Sequence, residues 1–596
     1  MSKKKQKIKE SSTQEKKQEE KIVRVLLIIA SLIFFAGATL LNFKPAYDYT
    51  IIKDILGAIF VAIFAIVLFL RKEDIYFHQI GFITGTLFFV YILIGCSYAP
   101  VKYGAAQSLE NYLLYYLLFL TGMLWKWKEV DSFIWAGAMI IASIVGFIQF
   151  PITHYPISTF GNPNFFAGHL LMPAFLTIYF FKKRYNIFFV ALYLVIILVA
   201  FILIKSRASL FALLFSSACA SFFLLRNHRI KWLKYIGFAV VFVGTILMWN
   251  KIQTQFVEDI RYYIWRGTWN LIKAKPLTGW GTGNFIFYYP YFRFREYFLR
   301  PQATPITNHP HCQYLEIWSE NGLIALILFG FIFGFVIRNG LRKNSPDSEN
   351  VLLFAIPAII AVCVDNILST NLTNTSTAMY FWFLLGLCFS VDSVDNKIVI
   401  SGQWKKVAGF FMLVSMIILA GWKTYYRLIP EVYLKRAISA REANDFLSAI
   451  ENYKKVCKIN TNHVVAWYKM AFAYGQIGDL KKAEEVYLKI NNVLFPHFAK
   501  TDANLATLYT QLNDVKKAKY YFEWALWFNP YDIDVLFNLA SIKLYKEKDI
   551  KAAAEYLKKV ARISPQHEYL QYLLKTVPGL KDLVKIETQI NKGEKQ

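Results

Sequence analysis

The chain has 596 residues, of which 56% are hydrophobic and 17% aromatic, and a formal charge of +27. The apolar residues gather in blocks far richer than a soluble average. This turns the basic balance away from nucleic acid, because membrane proteins collect lysine and arginine in cytoplasmic loops and beside phosphate headgroups. Six scattered cysteines (Cys96, Cys219, Cys312, Cys363, Cys388, Cys457) without a CxxC pair indicate neither a disulfide framework nor a zinc knuckle.

Residues 1–23 are charged and of low complexity, and are expected to form a disordered basic tail on the cytoplasmic side. The stretch is too long and too rich in Glu for a signal-peptide n-region, and no A-x-A-like site follows, so the first apolar run reads as an uncleaved anchor. Apolar runs then recur, each long enough for a hydrocarbon core of about 30 Å. Thirteen spans are predicted near 24–41, 54–70, 79–96, 108–124, 132–150, 164–181, 187–205, 208–225, 233–249, 321–337, 351–369, 376–391 and 406–423. Together they make an all-α, polytopic membrane domain over 24–425. Lys182, Lys183 and Arg184 share one short loop, Arg226, Arg229, Lys231 and Lys234 another, and Arg338, Arg342 and Lys343 a third. With alternating spans these fall on the side of the lysine-rich N-terminus, which the positive-inside rule makes cytoplasmic. The loop 250–321, the link ending at Arg207 and the loop PITHYPISTFGNPN are then expected outside, as is whatever follows the thirteenth span.

From about Glu431 the composition becomes that of a soluble helical protein. Asp445, Asp479, Asp514 and Asp549 recur at 34- and 35-residue intervals, in step with Ala449, Ala483, Ala518 and Ala553 and with Tyr453, Tyr487, Phe522 and Leu557. Ala437, Ala471, Ala506 and Ser541 mark the matching place in each preceding helix, and Pro530 and Pro565 stand just past second helices. This pattern resembles the tetratricopeptide repeat and predicts an α-solenoid over 431–575, followed by a tail at 576–596. Such solenoids bind proteins in a concave groove, or serve as a spacer or clamp.

Loops held on a rigid scaffold are where sites tend to lie, and the loop 250–321 is dense in Arg, Tyr, Trp, Gly and His. Arg207 opens a span at its outer end, either as a snorkelling anchor or as part of a site. Arg261 and Trp265, in RYYIWRGTW, share a helix face at i, i+4, while Arg266 points elsewhere. The GxGxG run in PLTGWGTGNF, which contains Trp280, lacks the βαβ context of a nucleotide fingerprint and reads as tight turns near the membrane surface. His309 and His311 would need Glu316 and Glu320 to make a metal site, and their spacing matches no standard zinc pattern, so no metal is expected. A histidine there suits a general base for a sugar hydroxyl, with arginines taking the charge of a diphosphate leaving group.

Taken in order, TFGNPNFFAGHLLMP, SRAS, RYYIW…KPLTGWGTGNF and HCQYLEIWSENGLIALILF resemble the O-antigen ligase and polymerase superfamily of bacterial envelope glycosyltransferases over roughly residues 20–425. The resemblance implies a multi-span fold of the glycosyltransferase C type. It also implies metal-independent, inverting transfer of a glycan from a polyprenyl-diphosphate carrier at the outer face of the inner membrane. Matched position by position, Arg207, Arg261 and His311 take the catalytic places. Arg266 and His309 are second candidates, Glu320 orients His311 or caps the next span, and Trp265 and Trp280 stand beside the substrate. Cys312 occupies a place where the family usually has Asn, which leaves the orientation of the His311 ring open. The implied donor is a lipid-linked oligosaccharide. The acceptor is lipid A core, a growing lipid-linked glycan or a protein side chain, and no cofactor is called for. The rival is a non-enzymatic scaffold or transporter whose repeats recruit partners. A transporter would carry midplane ionisable residues, of which the chain offers Asp365 and little else.

Overall fold

The computed structural model describes residues 2–71, 73–184, 187–225, 229–230, 232–247, 259–342, 351–390 and 397–584. Arg226, Lys231 and Lys343, used above for orientation, lie outside the described residues, as do the start of the long loop at 250–258 and the tail from 585 onward. Two compact units are present. One combines Met1–Glu258, Thr268–Phe285 and His309–Val432; the other combines Asp259–Gly267, Ile286–Asn308 and Tyr433–Gln596.

The first unit is a bundle of long helices, and helix occupies most of the described part of every predicted span. Among the described residues seven helices are individually long and apolar enough to cross a membrane: Lys17–Leu40, Ile51–Leu70, Gln79–Tyr98, Glu129–Thr153, Arg207–Leu225, Gln313–Arg338 and Gly402–Glu442. Leu352–Asp365 and Thr375–Leu387 are shorter because a polar stretch, Asn366 to Asn374, interrupts them. Nearly every residue of both is buried, as expected of helices apolar all round and enclosed by others. Thr375–Leu387 lies so close to Lys102–Leu124 that a Cβ on Gly122 would stand 2.0 Å from the Phe383 carbonyl oxygen. Small residues allow that approach between membrane helices. Ile148, Ile152 and Phe410 point outward, as lipid-facing side chains do. The protein is a multi-pass membrane protein.

One difference from expectation lies at the start. The basic tail, expected to be disordered, is helical from Ser2 and runs without a break into the first span. Lys, Gln and Glu are strong helix formers, and the apolar span supplies the nucleus that an isolated segment lacks.

Contacts across the bundle fix its two faces. Near the N-terminal face the strand Ile75–His78 pairs antiparallel with Lys397–Ile400, and Lys405 Nζ donates to the Glu73 carbonyl at 2.6 Å. At the opposite face Lys423 Nζ meets Asp54 at 3.0 Å and Arg427 meets Glu110 at 3.1 Å. Arg207, the glycine-rich turn and the stretch 366–374 belong to that opposite face by helix alternation.

In the second unit helical hairpins follow the predicted period. Asp445, Asp479, Asp514 and Asp549 each accept a hydrogen bond from the backbone N–H three residues on, at 3.0, 3.2, 3.0 and 2.9 Å. These are helix N-caps. The residue before each cap, Asn444, Gly478, Asn513 or Lys548, has positive φ and ends the preceding helix. Ala449, Ala483, Ala518 and Ala553 are fully buried where paired helices meet. An all-α membrane bundle and an α-solenoid of repeats are therefore both present. The solenoid also holds part of the long loop: Phe287 packs on Phe495 at 4.4 Å and Tyr291 on Phe528 at 5.4 Å.

Candidate active site

The glycine-rich turn at 276–285 is a clasp on the helix Gln313–Arg342. Trp280 N–H donates to the Ser319 carbonyl at 3.0 Å, Gly281 N–H to the Glu320 carbonyl at 2.8 Å, and Leu323 N–H to the Pro276 carbonyl at 3.0 Å. Gly322 kinks the helix at φ 76°, where a Cβ would stand 1.9 Å from the Leu277 carbonyl oxygen. Only glycine tolerates both the angle and the approach. The buried Glu320 carboxylate accepts from the N–H groups of Gly283 at 2.9 Å and Phe285 at 3.1 Å. Backbone amides that would cradle a phosphate in a nucleotide site thus serve an internal carboxylate here. Trp280 is held by its indole N–H on the Leu271 carbonyl at 2.9 Å, with Lys275 Nζ 4.3 Å above its ring.

The two histidines precede the same helix. His309 Nδ1 lies 2.9 Å from Glu316 Oε1. Burial works against its charged form, but the charge and hydrogen bond of Glu316, with the charge of Glu320, outweigh that and hold its pKa above the ordinary value. His311, half-buried, has φ 54°, a conformation uncommon for a residue with a side chain. Such strain persists only where the surroundings enforce it. The enforcing contacts begin next door. Cys312 is buried, Gln313 N–H donates to the Asn366 carbonyl at 3.0 Å, and Tyr314 Oη donates to the Cys363 carbonyl at 2.7 Å.

Those acceptors belong to a polar knot in the interrupted pair of helices. Asp365 accepts from Ser209 Oγ at 2.6 Å, from Ser369 Oγ at 2.7 Å and from Asn371 Nδ2 at 2.5 Å. Ser209 lies in the first turn of the helix that Arg207 opens. Gly168, in the GNPNFFAGH stretch, passes so near that a Cβ would stand 2.2 Å from Asn371 Nδ2. One knot therefore anchors the start of the Arg207 helix, the backbone just after His311 and the asparagine-rich loop motif. Arg207 itself is exposed. Sequence reasoning had set Asp365 aside and passed over Asn371. A lone acid near a span end signals nothing until the serine 156 residues away is seen to bind it.

The remaining candidates are carried by the second unit. Arg261 stands in the first turn of the helix Ile260–Ala274, its N–H donating to Asp259 Oδ1 at 2.8 Å and its Nε 3.9 Å from the same oxygen. That long, half-exposed pairing leaves the guanidinium charge weakly engaged. Trp265, one turn on, is half-buried. Arg266 is exposed and stacks over Phe294 at 4.2 Å. Two arginines that sequence reasoning missed hold the aromatic segment together. Arg293 donates to the Pro305 carbonyl and Thr307 Oγ1, each at 3.2 Å, and Arg300 donates to Tyr263 Oη at 2.6 Å. Their interleaving with aromatics in YFRFREYFLRP was the available signal.

A multi-pass helical membrane protein whose bundle carries a strained histidine turn and a buried polar knot at one face is the class that fold and geometry define. Residues 170–330 match the O-antigen ligase family, and residues 464–491 and 533–567 match the tetratricopeptide repeat. Its membrane unit thus contains a stretch similar to O-antigen ligases, and its second unit carries stretches similar to tetratricopeptide repeats. The matched range contains Arg207, Arg261, Trp265, Arg266, Trp280, His309, His311 and Glu320. No curated protein matches the chain.

Proposed function

We propose that this protein transfers a glycan from a polyprenyl-diphosphate carrier to a hydroxyl of lipid A core or of a growing surface polysaccharide, at the outer face of the bacterial inner membrane. The observation that carries this reading is the polar knot at Asp365. It ties the helix opened by Arg207 and the strained His311 turn, both within the stretch that matches the ligase family, to one framework.

In this mechanism His311 takes the proton of the acceptor hydroxyl as its oxygen bonds to the anomeric carbon. The bond from that carbon to the diphosphate oxygen breaks, the electron pair stays on the diphosphate, and the sugar inverts. Arg207 and Arg261 stabilise the developing charge, with Arg266 as the second candidate for that role. His309, held toward its charged form by Glu316, is the poorer base and the better donor to an anion. Glu320 acts through the turn it holds, and Trp265 and Trp280 offer sugar-stacking faces. A protein acceptor would be served by the same chemistry, and the repeat solenoid favours that second reading as a place for a protein to dock.

The test is transfer by the purified chain, with EDTA present, from a polyprenyl-diphosphate oligosaccharide offered lipid A core, a second donor molecule or envelope protein in parallel. Product on one acceptor is expected. It should fall by roughly 10²–10⁴ in His311→Ala, while the variant keeps its yield and melting temperature. Full activity of that variant would remove His311 from the mechanism. No turnover with any acceptor by folded, donor-binding protein would favour the scaffold.

A further inference from the structure

On the face opposite Arg207 a cavity of about 550 Å³ opens between the first helix, the end of Ile51–Leu70 and the link Trp125–Lys128. Its inner wall is apolar, from Leu27, Phe64 and Val130, and its rim carries Arg24, Arg71, Lys126 and Lys128. Among these cations Arg71 feels the charge of Glu73 and Lys128 that of Asp131. Two acids also line the cavity. Glu129 stands at the rim, and Asp131 is 2% exposed, its oxygens taken up by Ser31 Oγ at 2.5 Å, Trp125 Nε1 at 3.1 Å and Lys128 N–H at 2.8 Å. Asp131 thus braces the wall, and the rim keeps a positive excess. Trp127, fixed by its indole N–H on Ser132 Oγ at 2.9 Å, stands in the link between two membrane helices, the kind of place where tryptophans meet headgroups.

We propose that this cavity binds the headgroup of an anionic phospholipid from the leaflet on the N-terminal face. Cations in excess over acids at the ends of membrane helices, with tryptophan beside them and an apolar wall behind, match a lipid phosphate with its glycerol and acyl chains. The volume lies within the range of small-ligand sites. The carrier diphosphate of the proposed reaction is read on the other face, so this is a separate site.

The test uses the full chain purified in a neutral detergent. Its melting temperature is followed on adding phosphatidylglycerol, phosphatidylcholine or inorganic phosphate, for wild type, Lys126→Gln/Lys128→Gln, and the control Arg338→Gln/Lys406→Gln. The control removes two exposed cations of the same face that lie outside the cavity. Phosphatidylglycerol is expected to stabilise wild type and control alone, and its apparent affinity should fall roughly thirtyfold in the cavity variant. Equal stabilisation by phosphatidylcholine, equal stabilisation by inorganic phosphate, or an unchanged cavity variant would each overturn the assignment. Should the cavity variant fail to fold, native mass spectrometry of wild type decides. Preferential retention of phosphatidylglycerol over phosphatidylcholine supports the site, and equal retention overturns it.

Discussion

In the repeat unit Asp514 accepts from a backbone N–H three residues along its own helix, while in the membrane unit Asp365 accepts from a serine 156 residues away and from two side chains of a broken helix pair. Both are aspartates at helix ends, yet they solve different problems. The repeat cap satisfies a local orphan donor with water close by, and it recurs because each hairpin meets the same geometry. Asp365 is fully buried and holds three donors from two distant parts of the chain. A local cap is replaceable; a non-local knot supports everything attached to it.

The sharpest way to break this comparison is Asp365→Ala. It leaves Ser209, Ser369 and Asn371 without their acceptor, and each buried donor left unsatisfied costs about 1–3 kcal/mol. Glycan transfer should be lost even at temperatures where the variant is folded, because the Arg207 helix and the His311 turn lose their common anchor. Thermal denaturation in detergent and the transfer assay check both statements; a normal melting temperature with normal activity would mean the knot anchors nothing. Asp514→Ala is the matched, smaller perturbation. Loss of an N-cap costs about 1 kcal/mol, and hydrogen exchange should rise in Val515–Phe528 and its neighbours while the membrane helices stay unchanged. Equal effects from the two substitutions would erase the distinction.

The same contrast explains what was legible in the sequence. The repeats could be read because their instructions are local and periodic: Asp cap, buried Ala and aromatic seam recur in register, and the hairpin at 501–528 follows the rule although it lies between the two matched stretches. The membrane helices were legible through hydropathy. The glycine turn was legible in kind, since Gly279, Gly281 and Gly283 announce tight turns, but the kink at Gly322 and the partner Glu320 were not. A carboxylate that binds the amides of Gly283 and Phe285 leaves no spacing rule behind. Asn371 and Arg293 escaped for the same reason, their roles being set by which segments fold against them.

The smallest expected effect concerns His309, where a local pair and a non-local cluster meet. Its pKa is raised in the folded protein by Glu316 and, less, by Glu320, against the opposing effect of burial. A raised folded-state pKa means that the interaction stabilises the fold fully below the unfolded value, near 6.5, and is lost as pH rises through the folded one. Melting temperature should therefore decline modestly as pH rises from about 6 toward 9, and Glu316→Gln should flatten that decline by removing the largest favourable charge. The imidazole signals of His309 should titrate at lower pH in the variant. An unchanged titration would assign the raised pKa to Glu320, and with it a direct charge coupling between the glycine clasp and the histidine turn. Activity adds a second readout: if His309 assists as a charged donor, the alkaline limb of the pH–rate profile should move down with its pKa in Glu316→Gln. If His311 alone titrates in the mechanism, that limb should stay where it is while the melting curve changes.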